Sequence, residues 1–349
     1  MNKIYQFLRL IRFLNIIVIA ATMVIIQVFL ARYLLLETNI YPKSKEIIPP
    51  DITWYDISNY LISKTFLLLL ISTLLIAAAG NIINDYFDVR ADRINKPERL
   101  IIGVHIKRRW AMVWHWSFNL IGFLIALYLG YLIQNIWIPI VTFLSINLLW
   151  FYSTYYKRQP FTGNLIVALL LGFIPVYILI YNIGLSSVFN DAEKFAILAE
   201  SNYFFKVVLL TGVLAFLLNV IRELVKDILD VRGDLKLGAK TFPIKYGIKK
   251  TKYLIAGFYT LAMIFGGLFL YFIVDVLMGV MLTSVLFEGD YIQNLIYVEP
   301  FGWLLGSVLL LLTISAYLIF AKHKRAAYKL VSNLLKAAML AGLLIPLFL

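Results

Sequence analysis

LLLLISTLLIAAAG (residues 67–80) is followed a few residues later by NDYFDVRAD (residues 84–92). The first stretch belongs to an apolar run, residues 61–83, which is long enough to cross a bilayer because a spanning helix needs about 20 apolar residues. The second stretch carries three aspartates, whose charge is costly in hydrocarbon. Together they predict a membrane helix whose end presents carboxylates at the membrane surface.

The composition also indicates a membrane protein. Of the 349 residues, 62% are hydrophobic and 15% are charged, and the mean hydropathy is +0.86. Soluble domains are about half apolar and about a quarter charged. We expect an all-α, polytopic membrane helical bundle with cytoplasmic Asp-rich loops, formed by a single domain over residues 1–349.

Apolar windows of about 20 residues predict nine transmembrane helices. Their expected limits are 13–36, 61–83, 110–133, 136–156, 163–186, 203–223, 253–275, 301–321 and 328–348. Most of the 32 basic residues fall in alternate connections, as the positive-inside bias requires. We therefore expect an integral protein of the cell inner membrane, with the N-terminus and both Asp-rich connections cytoplasmic and the C-terminus outside.

Two long insertions, residues 37–60 and 276–300, interrupt this regular spacing. The apolar part of the second insertion is too short to span a bilayer, so we expect it to lie on the membrane or to re-enter it.

Several functions are excluded or disfavoured by composition. The chain has no cysteine, which excludes disulfides, thiolate metal sites and a cysteine nucleophile. Its three histidines argue against a multi-histidine metal centre. The net charge of +13 is explained by basic cytoplasmic loops, so we expect no nucleic-acid partner.

Two aspartate motifs, each directly after an apolar run, are the strongest functional signal. The first Asp motif comprises Asn84, Asp85, Asp88 and Asp92, and the second comprises Asp227, Asp230 and Asp234. Intervals of three and four residues place these oxygens on one face if the preceding helix continues into the motif. Gly233 is the expected weak point of the helix that carries the second Asp motif.

Both motifs are rich in hard oxygen ligands and are flanked by cations. Carboxylates without histidine or cysteine suit Mg²⁺, which completes its shell with water and substrate phosphate. The flanking cations are Arg90, Arg93, Lys96, Arg99, Arg222, Lys226, Arg232 and Lys236. The alternative is a pair of solvated loops with surface ion pairs worth less than about 1 kcal/mol each. Because the inner-side acids concentrate in two matched motifs, we favour a metal and phosphate site.

The ordered set of motifs resembles the UbiA superfamily of intramembrane prenyltransferases. The first Asp motif is followed by NKPER (residues 95–99), the second lies in DILDVRGD (residues 227–234), and FYSTYYKRQPFTGN (residues 151–164) stands between them. In motif detail the chain is most similar to the geranylgeranylglycerol-phosphate geranylgeranyltransferase group. The early Arg-Pro pair of the family is Arg12-Phe13 here, and its Asn15 is kept.

The resemblance implies roles for individual residues. An isoprenoid diphosphate donor would be bridged by Mg²⁺, with ligands from Asn84, Asp85, Asp88, Asp92, Asp227, Asp230 and Asp234. The implied catalytic residues are Asp88, Asp92, Asp230, Asp234 and Lys157. The implied substrate-binding residues are Asn15, Arg99, Tyr152, Lys157, Asn164, Arg222 and Lys226. Glu223 could orient Arg222 or act as a base, although an ion pair is the simpler interpretation.

The implied reaction is ionisation of the allylic carbon–oxygen bond and transfer of the prenyl chain to a lipid or aromatic acceptor, in contact with membrane lipids. The carbocation could be stabilised by aromatic faces, although most aromatic residues are explained by the membrane interfaces. Two alternatives stay open. One is a terpene cyclase on the same scaffold, and the other is a carrier for an anionic phosphorylated solute.

Overall fold

The computed structural model describes residues 3–40, 63–95, 97–188, 202–236, 238–286, 291–321 and 325–348. These parts of the chain form twelve α-helices joined by connections with a few short 3₁₀ turns. The helices are α1 Lys3–Leu10, α2 Phe13–Ile40, α3 Lys64–Asn95, α4 Arg108–Leu132, α5 Trp137–Thr154, α6 Thr162–Gly172, α7 Ile174–Val188, α8 Asn202–Lys236, α9 Phe242–Tyr246, α10 Ile248–Leu286, α11 Tyr291–Ala321 and α12 Arg325–Leu344. The predicted all-α class is confirmed.

Eight of the described helices are long and apolar enough to cross a membrane. The ninth expected span, residues 163–186, is a pair of helices: α6 and α7 pass the same test together but are bent by 41°. The chain is therefore a polytopic integral membrane protein with up to nine spans among its described residues. The spans predicted from apolar windows match these helices in order and approximate position.

The outer surface of the bundle is apolar, as a lipid-facing surface must be. On α4, Trp116, Leu120 and Leu124 are exposed, whereas His115 and Asn119 of the same helix are buried. The His115 ring bonds to the Ala79 carbonyl of α3 at 3.0 Å. Polar groups thus face the interior, because they find hydrogen-bond partners there and none in hydrocarbon.

Two of the helices that are longer than a bilayer requires carry one Asp motif each. The helix α3 continues without a break from its apolar part through the first Asp motif to Asn95, and α8 continues through the second to Lys236. Both motifs are therefore helical, although Asp-rich loops were expected, and the condition under which the three- and four-residue intervals place their oxygens on one face is met. Gly233 does not end α8, because the helix runs past it.

The insertions lie partly outside the described residues. Of the first, only residues 37–40 are described, and they continue α2. Residues 276–286 of the second continue α10, so this part is not a separate membrane-surface segment. Residues 287–290 lie outside the described ranges, and α11 begins at Tyr291.

The helices α6 and α8 touch backbone to backbone. A Cβ atom placed on Gly172 would lie 2.7 Å from the Gly212 carbonyl oxygen, and one on Gly212 would lie 2.7 Å from the Gly172 oxygen. Any side chain here would force the helices apart, so both positions require glycine. On the same two helices, Asn164 at the start of α6 lies beside Asp227 of the second Asp motif.

Candidate active site

A cavity of about 820 Å³ lies inside the bundle and is lined mostly by apolar side chains. Its charged lining residues within the described chain are Arg12, Arg222, Glu223, Lys226 and Lys336. The charges of Arg12, Arg222 and Glu223 all act on Lys226, so these four groups form one polar end of the cavity. The volume falls within the range of about 300–1,000 Å³ usual for small-molecule sites.

The first Asp motif is held by cations from distant parts of the chain. Asp85 accepts a hydrogen bond from Arg12 Nη2 at 2.5 Å. Lys157 donates to Asn84 Oδ1 at 2.8 Å and forms an ion pair with Asp88. These contacts join the start of α2 and the end of α5 to the carboxylate-bearing part of α3.

Arg12 was not predicted as a site residue, yet its position is tightly constrained. It lies in the break between α1 and α2 with φ +54°, a conformation that costs most residues about 1–3 kcal/mol. The carboxylate of Asp85 raises the pKa of Arg12 above its ordinary value. The Asn81 side chain also donates to the carbonyl of Ile11 at 2.9 Å, so two bonds from α3 fix this break.

Lys157 lies in a 3₁₀ turn, Tyr156–Arg158, directly after α5. A Cβ atom on Gly163 would lie 2.9 Å from the Tyr156 carbonyl oxygen and 3.0 Å from Lys157 Cα, so glycine lets α6 pack against this turn. Burial is the largest single influence and lowers the pKa of Lys157, but the charge of Asp88, the interaction with Tyr152 and the hydrogen bond to Asp88 together outweigh it, so the net pKa is raised. Lys157 therefore remains a cation beside Asp88.

The second Asp motif has a different environment. Asp227 accepts a hydrogen bond from the buried Asn164 amide of α6 at 2.8 Å. Two cations that precede it on α8 pair with Glu223 instead: Lys226 at 2.5 Å and Arg222 at 3.4 Å. The predicted interpretation of Glu223 as an ion-pair partner is confirmed.

Tyr152 of α5 is close enough to both motifs to be influenced by their charges. The charges of Lys157, Glu223, Asp88 and Asp227 all act on its hydroxyl group. Since α3 and α8 are also in contact, the predicted convergence of the motifs around one site is compatible with the packing. Tyr152 lines the cavity, and Lys157 Nζ lies 5.9 Å from its ring centre.

The remaining predicted residues are placed less centrally. Asp92, Asp230 and Asp234 are partly exposed on the continuing helices, and Asn15 is exposed while it also lines the cavity. Arg99 ends a short 3₁₀ helix, Pro97–Arg99, but its side chain lies outside the described part of the structure. In the described ranges, no three acidic, histidine or cysteine side chains form a group that could hold a metal ion by themselves.

The sequence is similar over part of its length to relatives called digeranylgeranylglyceryl phosphate synthase. It is 37% identical over 197 residues to a digeranylgeranylglyceryl phosphate synthase of Thermococcus gammatolerans, which covers 56% of this chain and 62% of that protein. It is 33% identical over 203 residues to the enzyme of the same name from Thermococcus kodakarensis, covering 58% of this chain and 64% of that protein. The matches thus span less than two thirds of these relatives.

The fold is similar to that of a solved structure reported in a study of digeranylgeranylglyceryl phosphate synthase in membranes. The two structures superpose with a TM-score of 0.57 and 23% identity, over 99% of this chain and 98% of that one. At this identity the likeness concerns the fold. The sequence pattern of the UbiA prenyltransferase family, in turn, matches residues 53–289, which include both Asp motifs, Lys157 and the polar end of α8. The chain therefore belongs to the UbiA prenyltransferase family.

Proposed function

We propose that the chain is a membrane prenyltransferase that moves an isoprenoid chain from an allylic diphosphate to an acceptor. The observation that carries the proposal is the composition of the cavity. Arg12, Arg222 and Lys226 gather at one end, beside the two Asp motifs, and most of the remaining lining is apolar. A prenyl diphosphate has the same division between a highly charged head and a hydrocarbon tail.

Mg²⁺ fits the donor chemistry of the two motifs. This ion usually takes one or two carboxylates and completes its shell with water and phosphate oxygens, so it needs no preformed group of three acids. Asn84 and Asp88 of α3 and Asp227 of α8 are the first candidates to hold it, with Asp85, Asp92, Asp230 and Asp234 beside them. When bound, Mg²⁺ would neutralise negative charge on the diphosphate.

The cations of the chain would stabilise the leaving diphosphate. Lys157, Arg222 and Lys226 are positioned by the ion pairs described above, and Arg12 lines the same end of the cavity. Fixed positive charges that face developing negative charge lower a reaction barrier without reorganisation. The apolar lining would keep water away from the allylic carbon, and Tyr152 would border the reacting region.

The acceptor is proposed from the relatives. Both Thermococcus proteins are digeranylgeranylglyceryl phosphate synthases by name. We therefore place a glycerol-phosphate-type lipid acceptor ahead of an aromatic one.

Pyrophosphate release by the purified chain tests this function. The full chain in detergent is incubated with Mg²⁺ and geranylgeranyl diphosphate, with and without a panel of glycerol-phosphate-type and aromatic acceptors. We expect Mg²⁺-dependent release that requires an acceptor, with the prenylated lipid detected by mass spectrometry. Release without an acceptor would favour a cyclase, and no release with any acceptor would favour a carrier.

We also propose that the Asp motifs face the cytoplasm, in the cell inner membrane, because they share a side with most of the basic connections. The cysteine-free chain is a ready background for this test. A cysteine at exposed Glu98 should react with an impermeant thiol reagent only after the membrane is opened, and one at exposed Gln134 should react in intact cells. The reverse pattern would contradict the orientation.

A further inference from the structure

Glu223 is the one carboxylate that lines the cavity within the described chain. The aspartates of both motifs lie outside the lining, although Asp227 is only one helical turn further along α8. The exposed fraction of the Glu223 side chain is 12%, so it is largely shielded from solvent. A carboxylate that lines the cavity can contact a substrate bound there directly.

Both cations that contact Glu223 are ones that the proposed function assigns to the diphosphate. Lys226 Nζ and Arg222 Nη1 bind the same oxygen, Oε1, at 2.5 Å and 3.4 Å. A diphosphate carries more charge and more acceptor oxygens than one carboxylate, so it competes for these cations. When they turn toward the diphosphate, Glu223 loses the contacts that hold its negative charge.

We propose that Glu223 accepts the proton of an acceptor hydroxyl, and that it becomes free to do so once the diphosphate has taken Arg222 and Lys226 from it. The inference rests on the proposed prenyl transfer and adds a catalytic residue to it. The acceptor oxygen forms a bond to the allylic carbon, and the carbon–oxygen bond to the diphosphate breaks with its electron pair on the diphosphate. The hydroxyl proton passes to the Glu223 carboxylate.

Neighbouring ionisable groups are less suited to this role. Tyr152 and Lys157 face Glu223 from other segments, and Asp227 follows it on α8. Lys157 pairs with Asp88, Asp227 is bonded to Asn164, and Tyr152 carries a neutral hydroxyl. Glu223 becomes free only when the diphosphate binds Arg222 and Lys226. The donor therefore binds before the proton is accepted.

The variant Glu223→Gln separates this role from a structural one, because the amide keeps the shape of the side chain and one oxygen that can accept a hydrogen bond. Binding of inorganic pyrophosphate with Mg²⁺ is measured by calorimetry, and prenyl transfer is measured with saturating donor. We expect tighter pyrophosphate binding, since a competitor for the cations is gone, and transfer slower by about 100-fold or more, since a proton acceptor is lost. Glu223→Asp should recover part of the rate.

Opposite changes in binding and rate are the signature of the proposal. Weaker pyrophosphate binding in Glu223→Gln would overturn it, because Glu223 would then position the cations instead of competing for them. An unchanged transfer rate, or equal rates for the Gln and Asp variants, would overturn the proton transfer. Glu98→Gln is the matched control at an exposed glutamate and should leave both measurements unchanged. Wild-type protein that transfers no prenyl group would contradict the proposed function itself.

Discussion

The two Asp motifs are nearly alike in sequence but have different partners in the structure. The first is bound by cations from far along the chain, Arg12 and Lys157. On α8, which carries the second motif, the nearby cations pair with Glu223, and Asp227 is bound by the neutral amide of Asn164. A shared residue spacing therefore does not imply a shared electrostatic role.

This difference suggests a division of work within the proposed site. The carboxylates of the first motif pair with Arg12 and Lys157, which come from two other segments of the chain. Their negative charge is therefore compensated only when the bundle is folded. On α8, Arg222 and Lys226 form ion pairs with Glu223 of the same helix. A diphosphate can compete with Glu223 for these two cations. We expect substitutions in the first motif to have larger effects than equivalent ones beside the second.

Asp88→Ala should have the largest effect. It removes the ion-pair partner of Lys157 and a candidate Mg²⁺ ligand, so we expect transfer to fall by about 100- to 1,000-fold, the loss typical of removing one preorganised electrostatic group. The measurement is the transfer rate of protein that elutes as a folded species in detergent. Asp227→Ala should lose less, and a greater loss than for Asp88→Ala would reverse the comparison.

Arg12→Gln should have an intermediate effect. The hydrogen bond to Asp85 is charged, and such bonds contribute about 1.5–3 kcal/mol. Because 39% of the Arg12 side chain is exposed, we expect the lower end of this range, seen as a roughly 10-fold lower kcat/KM for the donor. Arg9→Gln, on the neighbouring helix α1, is the matched control. If both variants lose activity equally, the Asp85 contact has no special part in the site.

Asn164→Ala should have the smallest effect. It removes the 2.8 Å hydrogen bond to Asp227, and a single neutral donor is worth about 1 kcal/mol, so kcat/KM should fall by roughly 5-fold. Steady-state kinetics with varied donor will measure it. A loss as large as that of Asp88→Ala would mean that both motifs depend equally on their partners, and the proposed division would fail.

Much of the fold could be predicted from the sequence because a bilayer leaves few options. Each spanning segment must satisfy its own backbone hydrogen bonds, so an apolar window of the right length is a helix. Continuation of α3 and α8 into the Asp motifs was only a condition of the same-face prediction, because the apolar windows end before the aspartates. The bend between α6 and α7 and the extension of α10 to Leu286 could not be predicted, because apolar composition alone does not fix where a helix bends or ends.

The site could be predicted only where its residues are close in sequence. The Asp motifs and Lys157 were identified from local patterns and the family resemblance. The pairing of Arg12 with Asp85 joins residues 73 apart, and it depends on how α2 packs against α3. The available signals were the position of Arg12 at the edge of an apolar run and its match to the first residue of the family's early Arg-Pro pair. Likewise, the sequence shows Glu223 between two cations but not that it lines the cavity.

The Gly172–Gly212 contact makes the chemistry vulnerable to changes far from any charged group. Even a methyl group at either glycine must move α6 relative to α8, and Asn164 and Asp227 are carried on those same two helices. A screen for temperature-sensitive alleles should therefore recover alanine substitutions at these positions. Such alleles would lose turnover on warming while every polar side chain of the active site remained wild type.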